Sequence, residues 1–174
     1  MLDAGHGGDD SGAVYKGLYE KTANLATVFT LKYLMNQQNW PVMLTRLDDT
    51  RPTYADRTAR RSADLFVSLH YDEPGGKSLL YYSDYTPEAT ARSKALGEVI
   101  ARKLSIPAWS TDKSRFKDDK GRGRLYIDDV TYGPSLLWEV DSLDHYKNTP
   151  AYRTERCAAF LRALEDGWKE VFHG

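Results

Sequence analysis

Short apolar runs of strand length alternate along this chain with longer stretches of helical period, and that alternation restricts the fold more than any other feature. Residues 20–38 place Leu25, Val28, Phe29, Lys32 and Met35 near helical spacing, with Leu31 and Leu34 widening the stripe. After Pro41, VMLT at 42–45 has the form of a short buried strand, and 53–63 (TYADRTARRSA) that of a second, mostly polar helix. LFVSLH at 65–70 is a strand ending on His70, and the turn signal PGG at 74–76 leads into SLLYYS, a strand at 78–83. Thr86-Pro87-Glu88 opens a helix running to about residue 104, with threonine as the cap and proline in the first turn. Residues 105–124 are polar, charged and glycine-punctuated, the composition of a long loop. LYI at 125–127 and SLLWEV at 135–140 are two more expected strands, and 151–172 a closing helix. The expected fold is an α/β single-domain sandwich over residues 1–174, a mainly parallel central sheet flanked by helices. In such sheets ligands collect at the carboxyl ends of the strands.

Bulk properties exclude several classes. With 24 basic against 25 acidic residues there is no global field to draw in nucleic acid or anionic lipid, and the apolar runs are too short to span a membrane. No secretory signal is visible in the chain. The single cysteine, Cys157, rules out an internal disulfide framework and a multi-cysteine zinc site; within a helical pattern it is expected to be a small buried hydrophobe.

The strand ends carry the chemistry. LDAGHGGDDSG at 2–12 runs a short apolar strand into a glycine-flanked histidine, His6, with Asp9 and Asp10 behind it. Glycine on both sides removes side-chain bulk and permits backbone angles closed to other residues, so the imidazole can stand clear. Displayed this way, His6 is a metal ligand, an acid/base or an accident of a tight turn. Glu20 opens the first helix, His70 ends the central strand and Glu139 ends a late one. Two imidazoles and a carboxylate suit Zn²⁺, and a catalytic zinc leaves a fourth position to water. His145, in a polar stretch, and His173, next to the end, have the setting of surface residues.

LDAGHGGDDSGAVYKGLYEKTANL resembles the opening motif of the zinc-dependent N-acetylmuramoyl-L-alanine amidases of the Amidase_3 family. TRLDDTRPTYADRTARRSADLFVSLHYD resembles that family's middle block, and GRGRLYIDDVTYGPSLLWEV its final block, a strand carrying a glutamate after a proline-bearing turn. The resemblance implies that His6, Glu20 and His70 bind one zinc ion and that Glu139 is the catalytic carboxylate. It also implies peptidoglycan as substrate, cut between the lactyl group of N-acetylmuramic acid and the L-alanine of the stem peptide. The chemistry agrees: an amide is a poor electrophile and water a poor nucleophile, and zinc with a general base remedies both.

Around that site the expectations are plainer. Arg46 and Arg57 match arginines of the family pattern and are expected to pair structurally with Asp48, Asp49 or Asp56. Lys113, Arg115, Lys117, Arg122 and Arg124 are expected on a solvated loop, and Tyr71, Tyr81, Tyr82 and Trp138 in core or rim packing rather than on sugar. Asp9 and Asp10 are expected as loop residues that support the ligands, and Asp141 as a loop acid. The chain departs from the family in its short first strand, in Ala4 where proline is usual, and in Asp141-Ser142 where Gly-Phe is common. Residues 105–124 lack the helical periodicity of a plug, so the site is expected to be open. The resulting expectation is a monomeric enzyme of the cell wall, periplasmic or extracellular, of the phage endolysin or trimmed catalytic domain type. The alternatives are another zinc peptidase acting on stem peptides and a non-catalytic wall-binding or partner module of the same fold.

Overall fold

The central strand β4 (Phe66–Asp72) is apolar on both sides because both sides are covered. Val67, Leu69 and Tyr71 point into one cluster of buried side chains and Phe66 into another. The computed structural model describes residues 1–59, 63–84, 87–113, 125–130 and 133–174. Strand β1 (Leu2–Ala4) pairs parallel with one edge of β4, and β7 (Ser135–Ser142) pairs parallel with the other. Strand β5 (Leu79–Tyr82) runs antiparallel to β7, and β6 (Ala108–Ser110) parallel to β5, giving the order β1-β4-β7-β5-β6. A two-stranded hairpin, β2 (Val14–Tyr15) with β3 (Leu18–Tyr19), leads directly into helix α1 (Glu20–Gln37). The fold class is the expected one, an α/β fold with a mainly parallel central sheet flanked by helices.

Three long helices share one face of the sheet: α1, α3 (Pro87–Leu104) and α4 (Pro150–Phe172). Val28 and Leu31 of α1, Leu96 and Ile100 of α3, and Phe160 and Leu164 of α4 meet Leu69, Leu136 and Trp138 there. The Trp138 indole stacks on the Phe160 ring at 4.3 Å, so this tryptophan belongs to the core. Tyr71 and Tyr81 are buried too, and Tyr82 is partly buried. Cys157 lies in the same core, where burial pushes its thiol up to about 12 and leaves it protonated. None of the described helices is long and apolar enough to cross a membrane.

The opposite face is covered differently from the sequence expectation. Residues 125–127 do not form a strand; Tyr126–Asp129 is a short 3₁₀ turn that lays Leu125 and Ile127 over Phe66, Tyr81 and Leu137. Both edges of β7 are already taken by β4 and β5, so this segment crosses the sheet face instead of joining it. Residues 42–45 form only a bridge to β1, through Leu2 N–H to the Met43 carbonyl (2.9 Å) and Thr45 N–H to the Leu2 carbonyl (3.1 Å). The second helix, α2, spans Tyr54–Thr58 behind a Thr53–Asp56 capping box; Arg60, Arg61 and Ser62 lie outside the described residues. The expected loop at 105–124 contains β6 at its start, and residues 114–124 lie outside the described residues, as does Thr86.

One buried carboxylate ties these pieces together. Asp3 of β1 has no exposed surface, and it accepts hydrogen bonds from Arg57 Nη1 of α2 (2.6 Å) and Thr45 Oγ1 (2.5 Å). It also accepts from Ser68 Oγ of β4 (2.7 Å) and from the hydroxyl of Tyr126 (2.6 Å). Burial opposes the charge, but Arg57 and the three hydroxyl donors outweigh it and hold the carboxyl below its ordinary 3.8. Because the folded value is depressed, the stabilisation is complete above about 3.8 and is lost as pH falls through the folded value. Asp3→Asn leaves Arg57 buried without its counter-charge and is expected to cost about 3–5 kcal/mol at neutral pH. Urea unfolding from neutral to acidic pH should show the gap to the parent narrowing below the ordinary carboxylate value; a gap independent of pH would contradict the pairing.

Candidate metal centre

The carboxyl ends of β1 and β4 bring three residues together. His6 follows β1 directly, with a φ of 60°; Glu20 is the first residue of α1; and His70 lies on β4, which continues to Asp72. His6 Nε2 faces Glu20 Oε2 at 3.0 Å, and His70 Nδ1 faces Glu20 Oε1 at 2.9 Å. One ligand atom from each of the three lies within 4.8 Å of the other two. Glycines make this approach possible. A Cβ on Gly5 would stand 2.2 Å from the His70 ring, and one on Gly12 would stand 2.4 Å from Glu20 Oε2 and 2.6 Å from the His6 ring.

Each side chain is held from behind. Glu20 is buried and accepts from Ala13 N–H (2.9 Å), Asn24 Nδ2 (3.2 Å) and Tyr71 N–H (3.3 Å). His6 Nδ1 meets Asp10 Oδ1 at 2.9 Å, and Asp10 in turn accepts from Gly12 N–H. His70 Nε2 meets the Tyr126 hydroxyl at 3.2 Å, and that hydroxyl also contacts Ser68 Oγ. Burial alone would raise the Glu20 carboxyl, but the two imidazoles pull it far below the usual carboxylate range. Burial would likewise lower His6, but Glu20 and Asp10 raise it above its ordinary 6.5. An ionised, buried carboxylate between two imidazoles is a cation site by charge, and its nitrogen and oxygen donors fit zinc.

Glu139 is brought to this face by strand register. It is paired with His70 across β4 and β7 and is 4% exposed, and β7 runs on past it to Ser142. Residues in register on neighbouring strands share a sheet face, so Glu139 and His70 belong to the same side. Neither residue is the last of its strand, as the sequence had suggested; the strands continue because Asp72 and Ser142 are still paired.

The arginines are structural, though their partners differ from those expected. Arg46 spends its guanidinium on backbone carbonyls of Ala4 (3.0 Å), Gly5 (3.1 Å), Lys21 (2.7 Å) and Asp48 (2.8 Å). Arg57 pairs with Asp3 and also donates to the carbonyls of Ala4 (2.8 Å) and His6 (2.7 Å), so both arginines clamp the loop that carries the first histidine. Asp9 pairs with Arg51 at the surface, whereas Asp10 supports His6 directly. Asp141 is not a loop acid: it is buried in β7 and accepts from Tyr152 (3.1 Å) and Arg156 of α4, with exposed His145 3.2 Å away. His173 is exposed at the end of α4. Arg115, Lys117, Arg122 and Arg124 lie outside the described residues, and with them most of the segment expected to leave the site open. Tyr126 escaped the sequence reading because LYI has the pattern of a strand; the buried Asp3 between Leu2 and Ala4 was the signal that donors must converge there.

Gly5→Ala forces a methyl group into the His70 ring, and the rigid strand behind it cannot yield. Zinc affinity measured by chelator competition is expected to fall at least about tenfold, with the fold retained by circular dichroism. Unchanged affinity would mean that His70 takes no part in the centre.

The chain matches the family model described as N-acetylmuramoyl-L-alanine amidase over residues 1–163. It is 33% identical to the N-acetylmuramoyl-L-alanine amidase LytC of Bacillus subtilis, with 96% of this chain and 34% of LytC aligned. It is 29% identical to the N-acetylmuramoyl-L-alanine amidase CwlM of Bacillus licheniformis, with 96% and 64% aligned. The chain thus spans about a third of one relative and under two thirds of the other. Among solved structures, the catalytic domain of CwlV, an N-acetylmuramoyl-L-alanine amidase from Bacillus (Paenibacillus) polymyxa, superposes with a TM-score of 0.70 at 26% identity, covering 97% of this chain and 94% of that one. The donor set at the strand ends and the match along nearly the whole chain lead to one assignment: this chain belongs to the Amidase_3 family of N-acetylmuramoyl-L-alanine amidases.

Proposed function

We propose that this chain hydrolyses the amide bond between the lactyl group of N-acetylmuramic acid and the L-alanine of the peptidoglycan stem peptide. One zinc ion would be held by His6, Glu20 and His70, and Glu139 would serve as the general base. The observation that carries the reading is the convergence of His6 Nε2 and His70 Nδ1 on the two oxygens of the buried Glu20 carboxylate. Zinc bound there supplies Lewis acidity that polarises the scissile carbonyl and makes water a nucleophile at neutral pH.

The chain's own residues account for the remaining requirements. Glu20 is kept ionised by the imidazoles and by its backbone and amide donors, so it is available as a ligand without first losing a proton. Asp10 turns the His6 ring so that Nε2 points inward. Glu139, on the His70 side of the sheet, takes the proton from the attacking water as the carbon–oxygen bond forms. The same carboxyl then passes that proton to the nitrogen as the carbon–nitrogen bond breaks, so L-alanine leaves as a neutral amine. No side-chain nucleophile is needed, and Cys157 is buried in the core on the other face. Peptidoglycan lies outside the cytoplasmic membrane, and the activity would be exerted there.

Mass spectrometry of muropeptides digested with and without chelator tests the reading. The expected products carry a free amino group on L-alanine and are absent when chelator is present; a new amine elsewhere in the stem would assign a different peptidase, and none with added zinc would favour a binding module. Glu20→Ala is expected to lose zinc and activity together. Glu139→Gln is expected to retain zinc, measured by elemental analysis, while turnover falls by about 10²- to 10⁴-fold. Activity surviving in Glu139→Gln would remove Glu139 from the general-base role.

A further inference from the structure

His70 presents an ambiguity that the three proposed ligands do not resolve. A neutral imidazole carries one N–H donor and one lone-pair nitrogen, and only the lone-pair nitrogen can bind a metal. Nδ1 faces Glu20 and Nε2 faces away from it, toward Tyr126. The proton therefore has to reside on Nε2 for the centre to form, and something must accept it there.

We propose that Tyr126 is a positioning residue for His70: its phenol oxygen accepts the Nε2 proton and so leaves the Nδ1 lone pair turned toward Glu20. The inference rests on the reading of His6, Glu20 and His70 as a metal centre and adds a residue to it. The direction of donation follows from what lies behind the phenol. Tyr126 donates its own proton to Asp3 Oδ2 at 2.6 Å, and Asp3, ion-paired with Arg57 at 2.6 Å, acts as an acceptor. With that proton committed, the phenol oxygen offers His70 Nε2 only lone pairs, at 3.2 Å. The chain of donation runs one way, from His70 through Tyr126 to Asp3, whose charge is balanced by Arg57. The exposed ring of Tyr54 lies nearly parallel to the Tyr126 ring at 5.2 Å and 7°, covering it and holding its plane.

Ser68 provides an internal control. Its hydroxyl donates to the same Asp3 oxygen at 2.7 Å and touches the Tyr126 hydroxyl, yet no hydrogen bond joins it to the His70 ring. Removing either hydroxyl deprives Asp3 of one donor, but only the loss of the Tyr126 hydroxyl deprives His70 of its acceptor. If Tyr126 serves only Asp3, Tyr126→Phe and Ser68→Ala should behave alike.

The test is zinc affinity by chelator competition on the parent, Tyr126→Phe and Ser68→Ala, with ¹⁵N-histidine spectra of the zinc-loaded proteins. Tyr126→Phe is expected to bind zinc about 10- to 100-fold more weakly, and Ser68→Ala to stay within about threefold of the parent. In the parent the spectra should place the His70 proton on Nε2 in slow exchange with water, a result that does not depend on any variant folding. Equal zinc affinity in Tyr126→Phe and the parent, equal losses in the two variants, or a parent His70 protonated at Nδ1 would each overturn the role of Tyr126 while leaving the metal centre standing. A parent that binds no zinc would overturn the metal reading itself, and this inference with it.

Discussion

The buried carboxylate of Asp3 is the interaction on which the rest of the arrangement depends. A charge without exposure is tolerated only if it is paired and its lone pairs are filled, and here Arg57, Thr45, Ser68 and Tyr126 fill them. Those donors come from α2, the 42–45 segment, β4 and the 3₁₀ turn, which are separate elements of the chain. A carboxylate demanding directional partners fixes their positions where packing alone would not. Arg57, once recruited, also grips the His6 carbonyl, so the first proposed ligand is held by the same pair.

The candidate centre is built largely by clearance and charge. Gly5 and Gly12 remove the two methyl groups that would otherwise keep the His70 ring and the Glu20 carboxylate from closing on their neighbours. Glu20 opens α1, so its charge sits at the positive end of a helix, with Ala13, Asn24 and Tyr71 donating to it. The ligand atoms thus lie within reach of one another while each side chain is restrained by a second partner. Such preorganisation lowers the cost of assembling a site when a cation arrives.

Much of this was legible in the sequence, and the omissions share a cause. Periodicity located α1, α3, α4, β4, β5 and β7, because each buries one continuous apolar stripe or run. The family motifs drew attention to His6, Glu20 and His70, which the fold brings together. Three features were missed. LYI at 125–127 has a strand's composition, but both edges of β7, the strand that follows it, were already taken. Residues 108–110 were hidden in a charged stretch because an edge strand needs little apolar surface. The hairpin at 14–19 is too short to show a period. In each case local composition was either silent or misleading, and the surrounding tertiary structure decided the outcome.

The sequence by itself determined the alternation of strands and helices and the burial of its one cysteine, since these follow from hydrophobic period, and its likeness to the family's motifs pointed to the proposed ligands. Only the tertiary structure decided the order of the strands and the antiparallel turn taken by β5. It alone paired Arg57 with Asp3 rather than with its neighbour Asp56, and placed Tyr126 behind His70. Those choices depend on which buried polar groups come within reach of one another across the sheet, and in a linear chain that distance does not exist until the chain has folded.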